Sequence, residues 1–384
     1  MATAAAMHPL DSLRALRADQ VILVMLCALL GVGLVAVASA SVAYANAQTG
    51  DTLFLVRRYV LHLALAALLA GVVYRVPVDF WHRSGWLWLL VGFVMLALVL
   101  IPGVGREVNG SRRWLALGPL TVQCSEFVKW FLILYMAGYL VRRKDELRSS
   151  WSGFIKPMAV LFMVTLLLLL EPDFGAAVVT SATAMGLLFI GGVRLGQFLL
   201  VMLGAVAALG LLMISAPYRM QRLTSFADPW ADQFNSGYQL TQSLIAFGRG
   251  EWFGVGLGNS VQKLFYLPEA HTDFVFAIWA EEQGLVGAVL VVLLYAGLVA
   301  AVLTIASAAS RAGKPFHAFV ASGVALLLSC QVFINIGVAT GMLPTKGLTL
   351  PFMSYGGSSL LVCLALLATV LRIARECREV SDGR

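Results

Sequence analysis

Three ionisable side chains, Glu269, His271 and Asp273, fall within six residues that begin at Pro268, directly before an apolar run that starts at Phe274. A carboxylate at the boundary between an aqueous loop and a membrane helix is costly and usually functional. Partial desolvation would raise the pKa of Asp273, and nearby cations would lower it, so a general base that works near neutral pH can result. Aspartate is also a common N-cap, so capping of the following helix is an equally good interpretation of Asp273.

Two further acids, Glu281 and Glu282, lie inside the apolar run that follows Asp273. On a continuous helix, Glu281 would share a face with Asp273, two turns further along. Buried acids need a cation or water, and Lys129 at the start of an earlier apolar run is a candidate partner. We interpret both glutamates as structural or pocket-lining.

Basic and aromatic residues occur together in Asn109–Trp114 and Gln123–Trp130. Arg113 and Lys129 could bind a phosphate, the first through a bidentate contact and the second as a point charge. Basic residues and tryptophan also collect at headgroup depth as interfacial anchors. The spacing does not decide between these roles.

The segment Leu343–Ser359 combines two prolines, Lys346, several hydroxyl groups and three glycines between two apolar runs. Such a loop offers backbone and hydroxyl donors to an anion, and Ser354 and Gly356 are its candidate binding residues beside Lys346. A re-entrant plug without a ligand is the alternative.

Glycines at 248, 250, 254, 256 and 258 let the backbone turn tightly or approach a ligand closely. No strand precedes them and no P-loop lysine follows, so a nucleotide site is not favoured. A tightly folded outer loop is the simpler interpretation.

The composition predicts an integral membrane protein, because 60% of the 384 residues are hydrophobic and 12% are charged. Several apolar runs approach the ~20 residues that a helix needs to cross a bilayer, and none alternates as barrel strands do. The net charge of +7 is scattered through short loops, which argues against a nucleic-acid surface. The five cysteines show no disulfide framework and no metal-ligand spacing.

We predict an all-α polytopic membrane protein of about ten transmembrane helices with a large extracytoplasmic loop between spans 7 and 8. The first run is too long for a signal-peptide core and is interpreted as a retained anchor. The spans are centred on 21–42, 59–74, 85–101, 126–141, 157–170, 176–192, 196–215, 276–306, 316–339 and 356–372.

Lysine and arginine gather on one side of these spans, which predicts that side to be cytoplasmic and places both termini there. The chain then divides into a cytoplasmic segment (1–20), a membrane domain (21–372) and a cytoplasmic tail (373–384). The outer loops are about 102–125, 216–275 and 340–355.

Four motifs in these segments resemble the SEDS family of cell-wall polymerases: N-G-S-R-R-W, S-E-F-V-K, L-P-E-A-H-T-D-F-V-F-A and L-P-T-K-G-L-T-L-P-F-M-S-Y-G-G-S-S. The resemblance covers essentially all ten spans. Ala270, Lys346 and Thr349 resemble the division branch, the FtsW proteins, rather than the elongation branch.

The resemblance implies a peptidoglycan glycosyltransferase that polymerises lipid II at the outer face of the bacterial inner membrane, with Asp273 at the catalytic position. A diphosphate leaves as a stable anion, so one base suffices, and Arg113, Lys129 and Lys346 would supply positive charge. Glu269, His271, Ser354 and Gly356 are further substrate-binding candidates.

The resemblance also implies partners: a class B penicillin-binding transpeptidase of the FtsI type, and the FtsQ, FtsL and FtsB regulators at the division septum. No cofactor is called for and no metal cage is visible, although Mg²⁺ or Mn²⁺ could bind together with the substrate diphosphate. A lipid II flippase and a non-catalytic scaffold are the competing functions.

Overall fold

The computed structural model describes residues 9–108, 111–118, 120–214, 226, 228–235, 237–345 and 347–381. Within them the chain forms twelve helices and three strands in the following order. The helices are α1 (Pro9–Thr49), α2 (Phe54–Arg75), α3 (Val78–Leu100), α4 (Cys124–Arg142), α5 (Lys144–Ser149), α6 (Trp151–Leu170), α7 (Phe174–Ile190), α8 (Leu195–Ile214), α9 (Tyr238–Gly250), α10 (Val275–Arg311), α11 (Pro315–Ala339) and α12 (Gly357–Ser381). The strands β1 (Gly105–Val108), β2 (Ser111–Leu117) and β3 (Leu120–Gln123) lie between α3 and α4.

The described residues contain eight helices that are long and apolar enough to cross a membrane: α1, α2, α3, α4, α6, α10, α11 and α12. Two shorter apolar helices, α7 and the first part of α8, bring the number of candidate spans to ten. The predicted all-α polytopic architecture is therefore confirmed. The long segment between the seventh and eighth spans carries α9, a feature that the spans alone did not predict.

The segment between α3 and α4 contains a small antiparallel sheet that was not predicted. Its strands are ordered β1-β2-β3, with Trp114 opposite Gln123 and Leu115 opposite Val122. Strand β3 runs directly into α4, so the sheet fixes the start of that helix. Arg113 and Trp114 are adjacent on β2, and both line a cavity at this end of the bundle.

Helix α10 is broken at Gly284, whose φ of 66° and ψ of −166° are not helical. We call residues 251–263 the strap, because this segment crosses the break. Val255 N donates to Glu281 O at 3.0 Å and Gly256 N donates to Glu282 O at 3.1 Å. The predicted tight loop is confirmed: a Cβ on Gly254 would lie 2.1 Å from Glu282 O, so only glycine permits this approach.

Segments from distant parts of the chain converge at one end of the bundle through hydrogen bonds. Gln123 N donates to Ser358 Oγ at 2.8 Å and joins the sheet to α12. Tyr355 N donates to His271 O at 2.9 Å and joins the segment before α12 to the turn before α10. These bonds gather three segments that lie more than 80 residues apart in the sequence around one end of the bundle.

The segment between α11 and α12 re-enters the bundle, with Leu348, Leu350, Phe352 and Met353 all buried. Tyr59 on α2 donates from its hydroxyl to Phe352 O at 2.8 Å. This feature agrees with the plug interpretation, and the same segment also lines the cavities described below.

Candidate active site

Asp273 sits in a tight turn that immediately precedes α10. The backbone N–H groups of Thr272, Asp273 and Phe274 all donate to Glu269 O, at 3.2, 3.1 and 3.3 Å. Asn335 on α11 donates from Nδ2 to Asp273 O at 2.9 Å, which fixes the turn from the other side. These contacts fix the backbone of Asp273, and its side chain lines the two cavities described below.

The capping interpretation of Asp273 is wrong. Helix α10 begins at Val275, its N-cap position is Phe274, and no side chain caps its first turn. The expected shared face of Asp273 and Glu281 is also wrong, because Asp273 precedes the helix. The turn around Glu269 takes the place of a capped helix start.

Two cavities meet at the half-buried carboxylate of Asp273. The first has a volume of about 540 Å³ and extends toward α9, where Asn235, Tyr238 and Gln239 line it. The second has a volume of about 320 Å³ and extends toward the sheet and α12, where Trp114, Tyr355 and Gly356 line it. Both cavities share Arg113, Asp173, Asp273 and Gly347.

The electrostatic environment makes Asp273 unusually basic for a carboxylate. Burial raises the pKa of Asp273 to about 7, and the negative charges of Glu269 and Asp173 act in the same direction. Arg113 acts in the opposite direction and lowers this pKa. A carboxyl with this pKa exchanges its proton readily near neutral pH, which is the property of a general base.

Arg113 reaches from β2 to the junction between α6 and α7. Its Nε donates to Glu171 O at 3.3 Å, and its Nη2 donates to Pro172 O at 2.6 Å. Its Nη1 lies 4.0 Å from Asp173 Oδ1. Since these contacts fix the guanidinium at the wall shared by both cavities, Arg113 is the best positioned described cation for an anionic ligand.

Asp173 belongs to the site but was missed by the sequence interpretation. It caps α7 by accepting from Ala176 N at 3.2 Å, and it accepts from Ser125 Oγ at 2.9 Å. The local signal was available, because an aspartate directly before an alanine-rich helix is typical of an N-cap. Its proximity to Asp273 was not visible, because that contact joins segments 100 residues apart.

Glu171 was also missed. Its side chain is fully buried, and neither oxygen of its carboxyl has a hydrogen-bond partner among the described residues. Burial and, to a smaller extent, the charge of Asp173 raise the pKa of Glu171 to about 8 against the opposing effect of Arg113. Glu171 is therefore mostly neutral at pH 7, which limits the negative charge behind Arg113.

The segment between α11 and α12 approaches Asp273 closely. A Cβ on Gly347 would lie 3.0 Å from Asp273 Oδ2, so a side chain at this position would crowd the carboxylate. Gly356 and Thr349 line the second cavity as well. Lys346, which was predicted to contribute a charge, lies outside the described residues.

Ser354 does not line either cavity. Its side chain is buried, and its Oγ accepts from Leu350 N at 2.8 Å. This hydrogen bond closes a turn in the re-entrant segment. The geometry gives Ser354 a structural role, and its predicted contact with substrate stays a prediction.

Glu269 lines the second cavity, and its carboxylate accepts from Thr272 Oγ1 at 2.6 Å. His271 lies behind this cavity instead of lining it, with ring centroids 4.9 Å from Tyr44 and 5.8 Å from Tyr355. Burial lowers the pKa of His271, so its imidazole is neutral at pH 7. The predicted role of His271 in substrate binding would therefore be indirect, through its contact with Tyr355, which does line the cavity.

Lys129 does not pair with Glu281 or Glu282, so the expected partnership is wrong. Lys129 Nζ lies 2.7 Å from Glu126 Oε1, one turn away on α4, and its side chain is almost fully buried. Glu126 lines the second cavity and Lys129 does not, so Lys129 adjoins this cavity only through its partner Glu126. Its predicted contact with a phosphate stays a prediction.

Glu281 and Glu282 are instead bound by the strap and its neighbours. Glu281 accepts from Ser260 Oγ, from Val261 N at 3.2 Å and from Gln262 N at 3.3 Å. Lys263 Nζ lies 2.7 Å from Glu282 Oε1. Their structural interpretation is thereby supported, with partners close in the chain rather than on α4.

No group of three or more His, Cys, Asp or Glu side chains among the described residues has a geometry that could hold a metal ion. Four acids line the two cavities, and they come from α4, from the residue before α7 and from the turn before α10: Glu126, Asp173, Glu269 and Asp273. An ion at this site would therefore depend on ligands other than these side chains.

Together, the helical bundle and the acid-containing cavities at one end define a polytopic membrane protein with a polar site among the segments that join its helices at that end. The sequence profile of the FtsW/RodA/SpoVE family, described as cell cycle protein, matches residues 19–379. The chain belongs to this family.

Its relatives include proteins named probable peptidoglycan glycosyltransferase FtsW. The protein from Hahella chejuensis is 54% identical over 349 residues, which cover 91% of this chain and 88% of the relative. The protein from Nitrosococcus halophilus is 55% identical over 351 residues, which cover 91% and 90%.

Two solved structures resemble the fold. One, from a study of the structural coordination of polymerization and crosslinking by a peptidoglycan synthase complex, is 32% identical, with a TM-score of 0.76 over 93% of this chain and 97% of the other. The other is the rod shape determining protein RodA of Thermus thermophilus, 31% identical, with a TM-score of 0.67 over 92% and 96%.

Proposed function

We propose that this protein is a peptidoglycan glycosyltransferase that polymerises lipid II at the outer face of the inner membrane, with Asp273 as the general base. The observation that carries the proposal is the carboxylate of Asp273, whose pKa is about 7 and which stands where two cavities meet. The family and the names of its relatives support the glycosyltransferase class.

The proposed reaction joins two lipid-linked sugars. The 4-hydroxyl of one lipid II attacks the anomeric carbon of the growing glycan from the face opposite its diphosphate. A carbon–oxygen bond forms, the bond to the undecaprenyl diphosphate breaks, and Asp273 takes the hydroxyl proton. The configuration at the anomeric carbon inverts, and the electron pair of the broken bond leaves with the diphosphate.

One base suffices because the leaving group needs no proton. A glycosidase uses a second carboxyl to protonate its leaving oxygen, whereas a diphosphate is already a stable anion. Arg113, held on two carbonyl groups, offers positive charge where the diphosphate would lie. Lys129 and Lys346 are the further cations of the proposal.

The paired cavities support a transferase, because a polymerase must hold two substrates against one base. Both cavities reach Asp273 and Arg113 from different sides. A hydrolase would need room for only one sugar substrate and a water. The cavity toward α12 presents Trp114 and Tyr355, aromatic rings suited to packing on a sugar face.

Transport of lipid II is the second candidate, and the buried pair of Glu126 and Lys129 is the observation that favours it. A flippase needs polar groups along its path through the membrane. Lys129, however, is only the sixth residue of α4, so it lies within about two turns of the outer end of that helix. This position fits an outer-face site better than a transmembrane path.

The cellular setting belongs to the proposal as well. We infer a division-branch protein with both termini in the cytoplasm, which acts at the septum with a class B penicillin-binding transpeptidase and the FtsQ, FtsL and FtsB regulators. One solved relative comes from a peptidoglycan synthase complex, which supports a transpeptidase partner. The basic cytoplasmic loops support the orientation.

The test is polymerisation of lipid II by the purified protein with its transpeptidase partner. Asp273→Asn should fold and bind the partner, and its rate should fall by about 10²–10⁴-fold, the usual contribution of a general base. Glu107→Gln, on the exposed face of β1, is the matched control and should keep wild-type activity. A folded Asp273→Asn protein that polymerises at the wild-type rate would refute the assignment.

Headgroup translocation in vesicles separates the two candidates. The proposal expects no translocation above a protein-free control for the wild type or for Asp273→Asn. Robust flipping by both proteins, with no polymerisation by either, would favour transport.

A further inference from the structure

The strap presents three large apolar side chains outward. Trp252, Phe253 and Leu257 are 66%, 81% and 55% exposed, respectively. None of them lines the two cavities around Asp273. Clustered exposed apolar side chains of this size mark a contact with a membrane or another protein, and the depth of the strap distinguishes these two.

The strap is fixed at a defined level of α10. Leu285 N donates to Glu251 O at 2.9 Å, and Val286 N donates to Trp252 O at 3.1 Å. These bonds replace helical ones that the break at Gly284 removes. Trp252 and Phe253 therefore lie level with the first residues of α10 beyond the break.

The environment of α10 changes at this same level. Every residue from Val275 to Glu282 is buried within the protein. Beyond the break, apolar side chains are exposed, with Leu285 at 48%, Leu290 at 52% and Leu293 at 62%. An exposed row of leucines on a membrane helix faces lipid.

The length of the exposed stretch fixes where the lipid begins. The outward side chains of α10 are apolar as far as Leu303 and are polar from Ser307 to Arg311. Leu285–Leu303 covers roughly 29 Å at 1.5 Å per residue, close to the ~30 Å thickness of a hydrocarbon core. The outer edge of the hydrocarbon therefore lies near Leu285, at the level of the strap.

We propose that the tip of the strap, residues Trp252–Leu257, inserts into the outer leaflet of the membrane. Tryptophan and phenylalanine are well suited to this depth, where an apolar ring can enter lipid beside polar headgroups. The strap also supplies the hydroxyl and the backbone N–H groups that donate to Glu281. Further along the chain, the strap leads into the turn that contains Asp273. Insertion thus seats the Asp273 end of α10 at headgroup depth, beside lipid-linked molecules.

The experiment measures depth with a fluorescent label on the full chain in bilayers, without any partner. Cys27 and Cys330 are first replaced by serine and alanine, since the other three cysteines are buried. An environment-sensitive dye is attached at Phe253→Cys. Leu290→Cys, facing lipid on α10, and Glu107→Cys, on the exposed sheet, serve as the lipid and water references.

The proposal expects the dye at position 253 to emit at shorter wavelength than the dye at 107. Lipids brominated near the headgroup should quench it more strongly than aqueous iodide does. A dye at 253 that behaves like the dye at 107 would overturn the proposal. Because Phe253 is largely exposed, its replacement should leave the unfolding temperature unchanged, which a thermal scan checks.

A second measurement adds the purified transpeptidase partner. If the dye at 253 is in water in the chain alone and becomes shielded only with the partner, the tip is a protein interface and the proposal fails. If the dye is already shielded by lipid in the chain alone, and brominated lipid still quenches it with the partner present, the lipid assignment holds.

Discussion

Asp273 and Glu281 are carboxylates at the same end of the bundle, eight residues apart, and their surroundings in the structure are opposite in kind. Glu281 is fully buried and accepts from a hydroxyl and two backbone N–H groups, with Arg249 Nε 3.4 Å away. Asp273 is half-buried, and no side-chain donor among the described residues hydrogen-bonds to its carboxylate. The carboxylate oxygens of Glu281 are occupied by donors within the fold, and the carboxylate of Asp273 remains available to a ligand.

The difference shows why burial alone does not identify a catalytic acid. A buried acid with a full set of donors stabilises the fold only as long as all of its partners remain. An acid held by its backbone and opened to a cavity keeps a raised pKa without being needed for packing. Stability and activity should therefore respond separately to changes at the two positions.

The largest structural effect is expected at Glu281. Glu281→Leu would leave the buried donors of Ser260 and Gln262 and the part-buried N–H group of Val261 without an acceptor, and at about 1–3 kcal/mol for each buried group we expect a loss of about 3–5 kcal/mol in the free energy of unfolding. Thermal unfolding in detergent measures it, with Glu281→Gln as the milder variant because its amide oxygen still accepts. Asp273→Asn should unfold close to the wild-type temperature, and equal destabilisation by both changes would break the comparison.

A change at Arg113 should affect activity more than stability. Lysine cannot reproduce the planar fork that two carbonyl groups hold in place, so Arg113→Lys should misplace the cation and lose about 1.5–3 kcal/mol of charge-assisted contact with the diphosphate in the transition state. Polymerisation should then fall roughly ten- to hundredfold. Arg112→Lys is the matched control, since Arg112 is exposed and pairs with Glu107 at 3.2 Å. Similar losses in both variants would remove Arg113 from the site.

The pH dependence of the wild type tests the raised pKa of Asp273. A general base works only when deprotonated, so the rate should rise with pH through about 7 and level off above it. Polymerisation rates between pH 5 and 9, with folding checked at each end, provide the measurement. A rate that is already constant between pH 5 and 9 would mean that Asp273 has the ordinary pKa of a carboxyl.

The smallest expected effect is a change in the pKa of Asp273 when the charge of Glu269 is removed. The negative charge of Glu269 raises the pKa of Asp273, so Glu269→Gln should lower that pKa and move the acid limb of the profile to lower pH. The shift should be below about one pH unit, because the two groups interact near solvent. Glu107→Gln should leave the limb in place, and a shift toward higher pH in Glu269→Gln would contradict the proposed electrostatics.

The sequence by itself determined the class of protein, the ten apolar helices and the candidate position of Asp273. These features are local: they follow from the length of apolar runs and from a carboxylate beside one of them. The tight glycine loop was also predictable, because glycine spacing reports on the backbone directly. The three-stranded sheet was overlooked, because Ser111–Leu117 runs from three polar residues to four apolar ones and lacks the alternation of a half-buried strand.

Only the tertiary structure decided which charges meet. Lys129 pairs with Glu126 on its own helix instead of Glu282, which Lys263 reaches from the strap. Arg113, Asp173 and Asp273 come from segments separated by 60 to 100 residues, yet they line the same walls. Such contacts depend on how helices pack, which no local periodicity encodes, so the sequence pointed to Asp273 as a candidate base and the fold supplied its surroundings.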